Sequence, residues 1–178
     1  LHFADITPYQ KFLIEKYGTN DDPSTSHKEL FFDIEIEMGE ALTEEYIKSA
    51  PKKVTSVAWY DKSTDKWTIL ILDAKSQIKH TKTKNREIIP FPTEKELLKQ
   101  FIISFREIDP DIIVGWNSDY FDIPYLSSTT KNVLGQRAAT YLSPINVVRE
   151  TPWFKDQYIQ IAGVESLDYM RLHKKYSW

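Results

Sequence analysis

Residues 93–116 constrain the fold more than any other part of the chain. Thr93 and Glu96 have the spacing of a helix capping box, and the apolar residues of ELLKQFIISFREI recur behind it at helical intervals. The run IIVGW follows shortly afterwards, and it is apolar and without alternation. Such a run is typical of a strand that is buried on both faces of a sheet. A helix that leads into such a strand predicts an α/β fold, with helices packed against a sheet.

Neighbouring patterns supply the other elements of this fold. Alternating apolar residues predict a β-hairpin at 54–61 and 67–73, a short strand at 87–91 and a second hairpin at about 145–163. Helical signals predict helices at 8–17, at 122–134 and from Asp168 onward. The order of these elements predicts a mixed sheet flanked by helices, with the second hairpin as an insertion.

Composition excludes several classes of protein. The chain has 178 residues, of which 41% are hydrophobic, and this suits the core of one ordinary domain. Cysteine is absent, so any metal ion must be bound by oxygen or by histidine. No apolar run approaches the about 18 residues of a membrane-spanning helix and no signal peptide is evident, which favours a soluble intracellular protein. A net charge of −3 gives no overall electrostatic case for nucleic-acid binding.

Residues 29–40, ELFFDIEIEMGE, alternate like a strand but place acidic residues on one face. Asp33, Glu35 and Glu37 share that face, and apolar side chains occupy the other. Neighbouring carboxylates there are ~6.6 Å apart and repel by roughly 0.6 kcal/mol in water, or roughly 2.5 kcal/mol at an effective dielectric of ~20. The face is therefore either solvated, or partly buried and matched by a positive charge.

A second acidic segment, GWNSDYFDIPYL, follows the buried strand. Asn117, Asp119 and Asp122 come just after the strand end, where ligands collect in open α/β sheets. The alternative is that Asn117 and Asp119 form a turn and Asp122 caps the next helix. If the two acidic segments converge, Asp33, Glu35 and Asp122 form an all-oxygen cluster of the kind that binds Mg²⁺ or Mn²⁺. Two such ions about 3.5–4 Å apart can activate water and stabilise the leaving oxygen of a phosphodiester.

Both acidic segments resemble motifs of one nuclease family. FFDIEIE is similar to the first motif, Asp-x-Glu, and NSDYFD to the second, Asn-x-x-x-Phe-Asp, of the 3′–5′ proofreading exonuclease domain of family B DNA polymerases. DPDIIVGWNSDYFDIPYL as a whole is specific to that family, and the flanking segments are most similar to replicative polymerases of T-even-like bacteriophages. The resemblance covers residues 29–178, and residues 1–28 look like the lead-in from the polymerase N-terminal domain.

The resemblance implies a ribonuclease H-like fold and two-metal hydrolysis of the 3′-terminal nucleotide of DNA, with Mg²⁺ or Mn²⁺ as cofactors. By it, Asp33 binds both metals, Glu35 binds the water-activating metal and Asp122 supports the second metal. Phe121 stacks on the terminal base, and Asn117 orders the site or contacts the substrate backbone. The implied partners are a single-stranded DNA 3′ end and the remaining polymerase domains, in the cytoplasm of an infected bacterial host. No membrane partner is implied.

The third motif of the family, Tyr-x-x-x-Asp, supplies another metal-binding aspartate and is absent here. No tyrosine after Asp122 has an aspartate four residues on, and Asp168 is better explained as a helix cap. We therefore expect a fragment truncated before that motif, with an incomplete metal site and weak or no activity. A non-catalytic module that binds a 3′ end is the alternative. A third possibility is another ribonuclease H-like nuclease.

The remaining polar groups are predicted to face solvent rather than to form a site. They are Glu37, Asp119 and the cations of the basic loop 74–86, namely Lys75, Lys79, Lys82, Lys84 and Arg86. Contacts to phosphate are the alternative for these cations. No metal-ligand spacing or other role is assigned to the histidines His2, His27, His80 and His173. The hairpin at 145–163 resembles one that these polymerases use when the primer end moves between sites, and Trp153 and Phe154 lie at its predicted tip.

Overall fold

A computed structural model describes residues 6–20, 22, 25–39, 43–152 and 158–176. The strands in these ranges are β1 (Glu29–Ile36), β2 (Val54–Asp61), β3 (Lys66–Leu72), β4 (Thr81–Lys82), β5 (Arg86–Phe91), β6 (Ile112–Gly115), β7 (Val148–Glu150), β8 (Ile159–Ile161) and β9 (Glu165–Asp168). The helices are α1 (Pro8–Tyr17), α2 (Glu44–Ser49), α3 (Glu94–Ile108), α4 (Asp122–Leu134), α5 (Gln136–Thr140) and α6 (Tyr169–Tyr176). The helices predicted from capping and periodicity are thereby confirmed.

A mixed sheet forms the centre of the fold, with the strand order β4-β5-β3-β2-β1-β6-β9. β1, β6 and β9 run parallel to one another, whereas β2 is antiparallel to both β1 and β3. α3 connects β5 to β6, and α4 lies in the connection from β6 to β9. The predicted mixed sheet flanked by helices is confirmed, and the arrangement is consistent with a ribonuclease H-like exonuclease fold.

α3 covers one face of the sheet. Its cap fixes where the helix begins, and its apolar stripe packs against the sheet. The Thr93 hydroxyl accepts the Glu96 amide and donates to the Glu96 carboxylate, so the two residues predicted to cap this helix do so. The buried side chains of the stripe are Leu97, Leu98, Phe101, Ile102 and Phe105. Phe101 meets Trp59 of β2 edge-on, with 6.0 Å between ring centroids. Each such side chain contributes roughly 1.5–3 kcal/mol through burial.

The inserted hairpin is also confirmed in its described part. β7 pairs with β8 in a separate antiparallel sheet, and Val148 lies opposite Ile161. The predicted tip, with Trp153 and Phe154, lies outside the described residues. In the ranges given above, no helix combines the length and the apolar character that a membrane crossing requires.

Three parts of the fold differ from the prediction. β1 ends at Ile36, after a register shift between Glu35 and Ile36, so Glu37 does not continue the acidic strand face. Part of the basic loop forms β4, which pairs with β5. The elements α2, α5 and β9 were not predicted, because segments of four to six residues carry too little periodicity of their own. β9 is a strand because it pairs with β6 across a long sequence separation.

Candidate active site

Two carboxylates of β1 project from the sheet face opposite to α3 and α4. Phe32 and Ile34 are buried in the core beneath those helices. The alternation of the strand therefore turns Asp33 and Glu35 to the other face, where both side chains are exposed. The prediction that Asp33 and Glu35 share one strand face, opposite the apolar side chains, is confirmed.

Asp122 approaches the same strand from the start of α4. It is only 3% exposed, and its Oδ1 atom accepts the backbone N–H of Ile34 at 3.1 Å. The N-cap of α4 is Phe121, and Asp122 is the first helical residue. Asp122 is therefore not the helix cap of the alternative interpretation. Its carboxylate joins α4 to the strand that carries Asp33 and Glu35.

The three acidic groups interact electrostatically. Burial raises the pKa of Asp122 to about 7, and the charge of Asp33 adds to that rise, although the Ile34 amide opposes it. Burial and the neighbouring Glu35 charge also raise the pKa of Asp33. Within the described ranges, no lysine or arginine forms an ion pair with any of the three. Among the residues that the structure describes, the site therefore concentrates negative charge with no paired lysine or arginine.

The loop between β6 and α4 folds tightly back on the strand end. A side chain at Gly115 would place its Cβ atom 2.5 Å from the Ser118 Cβ, so this close approach requires glycine. Asn117 has a φ of 59°, in the left-handed region that asparagine tolerates better than most residues. Its carbonyl oxygen accepts the amide of Phe121 at 3.0 Å. Phe121 is half-buried and contacts Tyr125, with ring centroids 5.5 Å apart.

Two further aspartates of the region are buried, and the prediction that Asp119 faces solvent was wrong. Asp119 is 4% exposed, and its carboxylate accepts the Ser166 hydroxyl at 2.6 Å and Arg171 Nη1 at 2.9 Å. Burial raises the pKa of Asp119, while these hydrogen bonds oppose the rise. Asp168 is also 4% exposed, and it accepts the Met170 amide at the start of α6, as the predicted helix cap should.

An aromatic groove of about 450 Å³ adjoins Asp33 on the open face of the sheet. Its aromatic lining includes the exposed rings of Phe31, Trp67, Trp116 and Tyr169. This groove was not predicted, because its lining comes from five separate segments of the chain. Exposed aromatic rings beside a carboxylate can stack on a planar ligand that also carries a phosphate-bound cation.

Sequence comparison identifies the family to which this geometry belongs. A family model described as DNA polymerase family B, exonuclease domain, matches residues 5–177. The chain belongs to this family. The resemblance inferred from the two acidic motifs is therefore confirmed, and Asp33, Glu35 and Asp122 lie within the exonuclease domain of a family B DNA polymerase.

Phage polymerases are among the similar curated proteins. The chain is 37% identical over 94 residues to the DNA-directed DNA polymerase of Escherichia phage RB69, which is 51% of the chain and 10% of that polymerase. It is 33% identical over 94 residues to the corresponding enzyme of Enterobacteria phage T4, with the same coverage. A DNA polymerase delta catalytic subunit of Glycine max is 45% identical over 47 residues, 26% of the chain and 4% of that subunit. The chain thus spans a small fraction of the length of these relatives.

Members of this exonuclease family are expected to bind metal, and the donor atoms of the site suit a hard divalent cation. Asp33, Glu35 and Asp122 supply carboxylate oxygens, which Mg²⁺ and Mn²⁺ prefer. Their side chains do not yet converge, since no group of three carboxylate or imidazole side chains in the described ranges is arranged to hold an ion. The chemistry of the site therefore fits the cation, whereas the side chains would have to move to complete its coordination.

Glu87, unlike the three carboxylates of the candidate site, is paired with basic side chains. Lys66, Lys82 and His80 surround it, with Lys82 Nζ at 3.2 Å and His80 Nε2 at 3.1 Å. The expectation that Lys82 is simply solvated and that His80 has no role is therefore corrected. Both are held at the sheet edge by a buried carboxylate that sequence reasoning did not identify.

Proposed function

We propose that this domain hydrolyses the 3′-terminal nucleotide of single-stranded DNA in the 3′–5′ direction, with two divalent cations bound by Asp33, Glu35 and Asp122. The observation that carries the proposal is the hydrogen bond from Ile34 to Asp122. It ties a buried carboxylate to the strand of two other acidic residues, with no cationic side chain paired to them in the described ranges. An external cation would relieve this concentration of charge.

The positions of the three carboxylates support a role for each of them in binding the cations. When bound, Mg²⁺ or Mn²⁺ would activate water and stabilise the leaving oxygen of the phosphodiester. Asp33 and Glu35 would offer ligand oxygens from the accessible strand face. Asp122 would be held in its orientation by the Ile34 amide, so that one of its oxygens is committed to the protein and the other is available as a ligand.

Aromatic side chains would bind the terminal nucleotide. Phe121 would stack on the terminal base, and Asn117, two residues after Gly115, would order the site or contact the substrate backbone. The groove lined by Phe31, Trp67 and Trp116 offers further rings beside Asp33. Stacking is tolerant of sequence, because every base has an aromatic face. Such tolerance suits an enzyme that removes whichever nucleotide ends the strand.

The wider role is proofreading within a longer DNA polymerase. The phage relatives are DNA-directed DNA polymerases, and their similarity to this chain supports a polymerase as the parent protein. The other polymerase domains would deliver the primer end, in the cytoplasm of an infected bacterial cell. Residues 1–28 would lead in from the polymerase N-terminal domain.

A single-strand binding module without cleavage is the second candidate. It is favoured by the absence, in the described part of the chain, of a cluster of three carboxylates arranged to hold an ion. Such a module would retain the stacking groups while its metal site stayed incomplete.

Cleavage of 5′-labelled and 3′-labelled single-stranded DNA in Mn²⁺ tests the proposal. The chain is compared with a version extended through the adjoining part of the polymerase, which would add the missing aspartate. We expect stepwise shortening from the 3′ end by the extended version and slower shortening, or none, by the chain itself. Asp33→Ala should lower the cleavage rate by more than about 100-fold. Removing a group that only orients a metal ligand lowers activity by about 10–100-fold, and removing the ligand itself should lower it further.

Asp111→Asn is the matched control for this experiment. Asp111 is an exposed aspartate at the far end of β6, where its carboxylate accepts the Lys28 amide at 2.9 Å. This substitution should leave cleavage unchanged. If neither version cleaves but both bind the strand, the binding module replaces the nuclease as the function. Internal cuts, or a requirement for RNA, would instead favour another ribonuclease H-like nuclease.

A further inference from the structure

We propose that Asp168 is a positioning residue that fixes the loop 116–121 and thereby the orientation of Phe121 and Asp122. This inference rests on the proposed function, in which those two residues bind the terminal base and the cation. Asp168 lies at the end of β9, opposite Gly115 of the neighbouring parallel strand β6. It therefore stands beside the first residue of the loop.

The Asp168 carboxylate accepts hydrogen bonds from two segments, the loop 116–121 and the start of α6. Oδ1 accepts the amide of Asn117 at 3.0 Å and that of Met170 at 2.9 Å. Oδ2 accepts the amide of Asp119 at 3.2 Å. A cap of α6 needs only the Met170 bond, so the two bonds to the loop are additional to capping. One buried side chain thus joins the loop to the start of α6.

Asp119 forms the reciprocal connection. Its carboxylate reaches from the loop to the Ser166 hydroxyl in β9 and to Arg171 in α6. Each aspartate therefore binds the segment that carries the other, and the loop is fastened at two points. Both side chains are 4% exposed, so water competes little for these hydrogen bonds.

The loop needs such fastening because its own geometry is demanding. Asn117 occupies the left-handed region with a φ of 59°, and Gly115 permits the close approach of Ser118. Backbone bonds from Phe121 to Asn117, at 3.0 Å, and from Ile123 to Ser118, also at 3.0 Å, then lead into α4. A displacement at Asn117 would therefore be transmitted directly to Phe121 and Asp122.

Asparagine cannot replace a carboxylate in this arrangement. Both oxygens of Asp168 accept backbone N–H groups, whereas an asparagine amide offers one oxygen and places an NH₂ group against the remaining donor. Asp168→Asn keeps the size of the side chain and removes at least one bond. It is therefore a conservative test of positioning.

Amide hydrogen exchange of the chain, measured by NMR, gives a readout that needs neither metal nor activity. Asp168→Asn should speed exchange at Phe121 and Ile123 by about tenfold, since their hydrogen bonds open when the loop is released. Asp111→Asn, at the opposite end of β6, should leave those two amides unchanged. Faster exchange confined to the amides of α6 would overturn the inference and leave Asp168 as a helix cap alone.

Strand binding in EDTA then tests whether the loop acts through Phe121. We expect Asp168→Asn to weaken binding of a 5′-fluorescein-labelled single strand by about fivefold to tenfold. In the Phe121→Ala background, the same substitution should cause no further loss. An equal loss in both backgrounds would indicate general destabilisation and overturn the inference.

The two proposals fail in different ways. If the unmodified chain binds no strand, the proposed function is lost in this chain, and the exchange at Phe121 and Ile123 alone decides whether Asp168 positions the loop. If Asp168→Asn does not fold, Ser166→Ala serves as the second variant, because it removes the 2.6 Å hydrogen bond between Ser166 and Asp119 of the loop. It should then speed exchange at the same two amides, and unchanged exchange would overturn the inference.

Discussion

Glu87 in β5 and Asp122 at the start of α4 are both buried carboxylates, and the protein surrounds them in opposite ways. Hydrogen bonding from Lys66, with help from Lys82 and His80, outweighs burial and lowers the pKa of Glu87 to about 2. Burial without a paired cation in the described residues raises the pKa of Asp122 to about 7. Among the described residues, Glu87 therefore has cationic partners, whereas Asp122 accepts the Ile34 amide and is paired with no lysine or arginine.

This difference supports the functional role proposed for Asp122 and a structural role for Glu87. Burying an ionised group is costly unless it is paired, and the described residues give Asp122 no cationic partner. The charge at Asp122 can be relieved either by a proton or by a cation from outside the protein. Strongly perturbed acidic groups of this second kind are typical of functional sites.

Asp122→Asn should have the largest effect on stability. The pKa of Asp122 is raised from 3.8 to about 7, so between those pH values the folded chain binds a proton that the unfolded chain has lost. The stability of the EDTA-treated chain therefore falls as pH rises through this window. The substitution removes this dependence and should stabilise the chain above pH 7 by an amount on the order of 4 kcal/mol at most.

Urea unfolding from pH 4 to pH 8 measures this effect as the difference between variant and unmodified chain. Because asparagine retains an oxygen for the Ile34 amide, the comparison isolates the charge. A variant that is less stable than the unmodified chain at pH 8 would contradict the electrostatic account of Asp122.

The affinity for Mn²⁺ should depend on pH because Asp122 titrates. A proton on Asp122 competes with Mn²⁺, so apparent affinity should rise about tenfold per pH unit from pH 5 towards pH 7 and then level off. Calorimetry in two buffers of different ionisation enthalpy should detect release of the proton near pH 6. Asp122→Asn should bind more weakly and without this slope. Affinity independent of pH in the unmodified chain would place the cation away from Asp122.

Local signals made much of the fold predictable. The cap and stripe of α3, the apolar run of β6 and the alternation of β1 each act within one element, so the sequence carries them directly. α2, α5 and β9 escaped because their conformation depends on neighbours distant in the chain. The sheet pairing that defines β9 joins it to β6, about fifty residues earlier.

The same limit applies to the candidate site. Asp33 and Glu35 were predictable because alternation places both on one strand face. Asp122 was identified by its motif, but its bond to Ile34 spans 88 residues and no local pattern encodes it. Asp119 was misread as a solvated turn for that reason, because Ser166 and Arg171 reach it from another segment. Local chemistry indicates candidate residues, and only tertiary contacts decide their environment.

Glu87→Gln should have the smallest effect, and of opposite sign to Asp122→Asn. The pKa of Glu87 is lowered from 4.5 to about 2, so its stabilisation is present above pH 4.5 and is lost as pH falls towards 2. Lys82 and His80 are more than half exposed and Lys66 one-third exposed, and solvent weakens their attraction. We therefore expect a loss of only about 1 kcal/mol at pH 7.

Urea unfolding of Glu87→Gln with and without 1 M NaCl provides the measurement. At 1 M salt the Debye length is about 3 Å, so salt weakens the attraction between exposed charges. The loss of stability caused by Glu87→Gln should therefore shrink in high salt. The gain at Asp122, whose carboxylate is 3% exposed, should persist there because burial rather than exposed charge causes it. If both effects vanished in salt, the two carboxylates would differ only in their exposed neighbours, and the functional distinction drawn from burial would no longer hold.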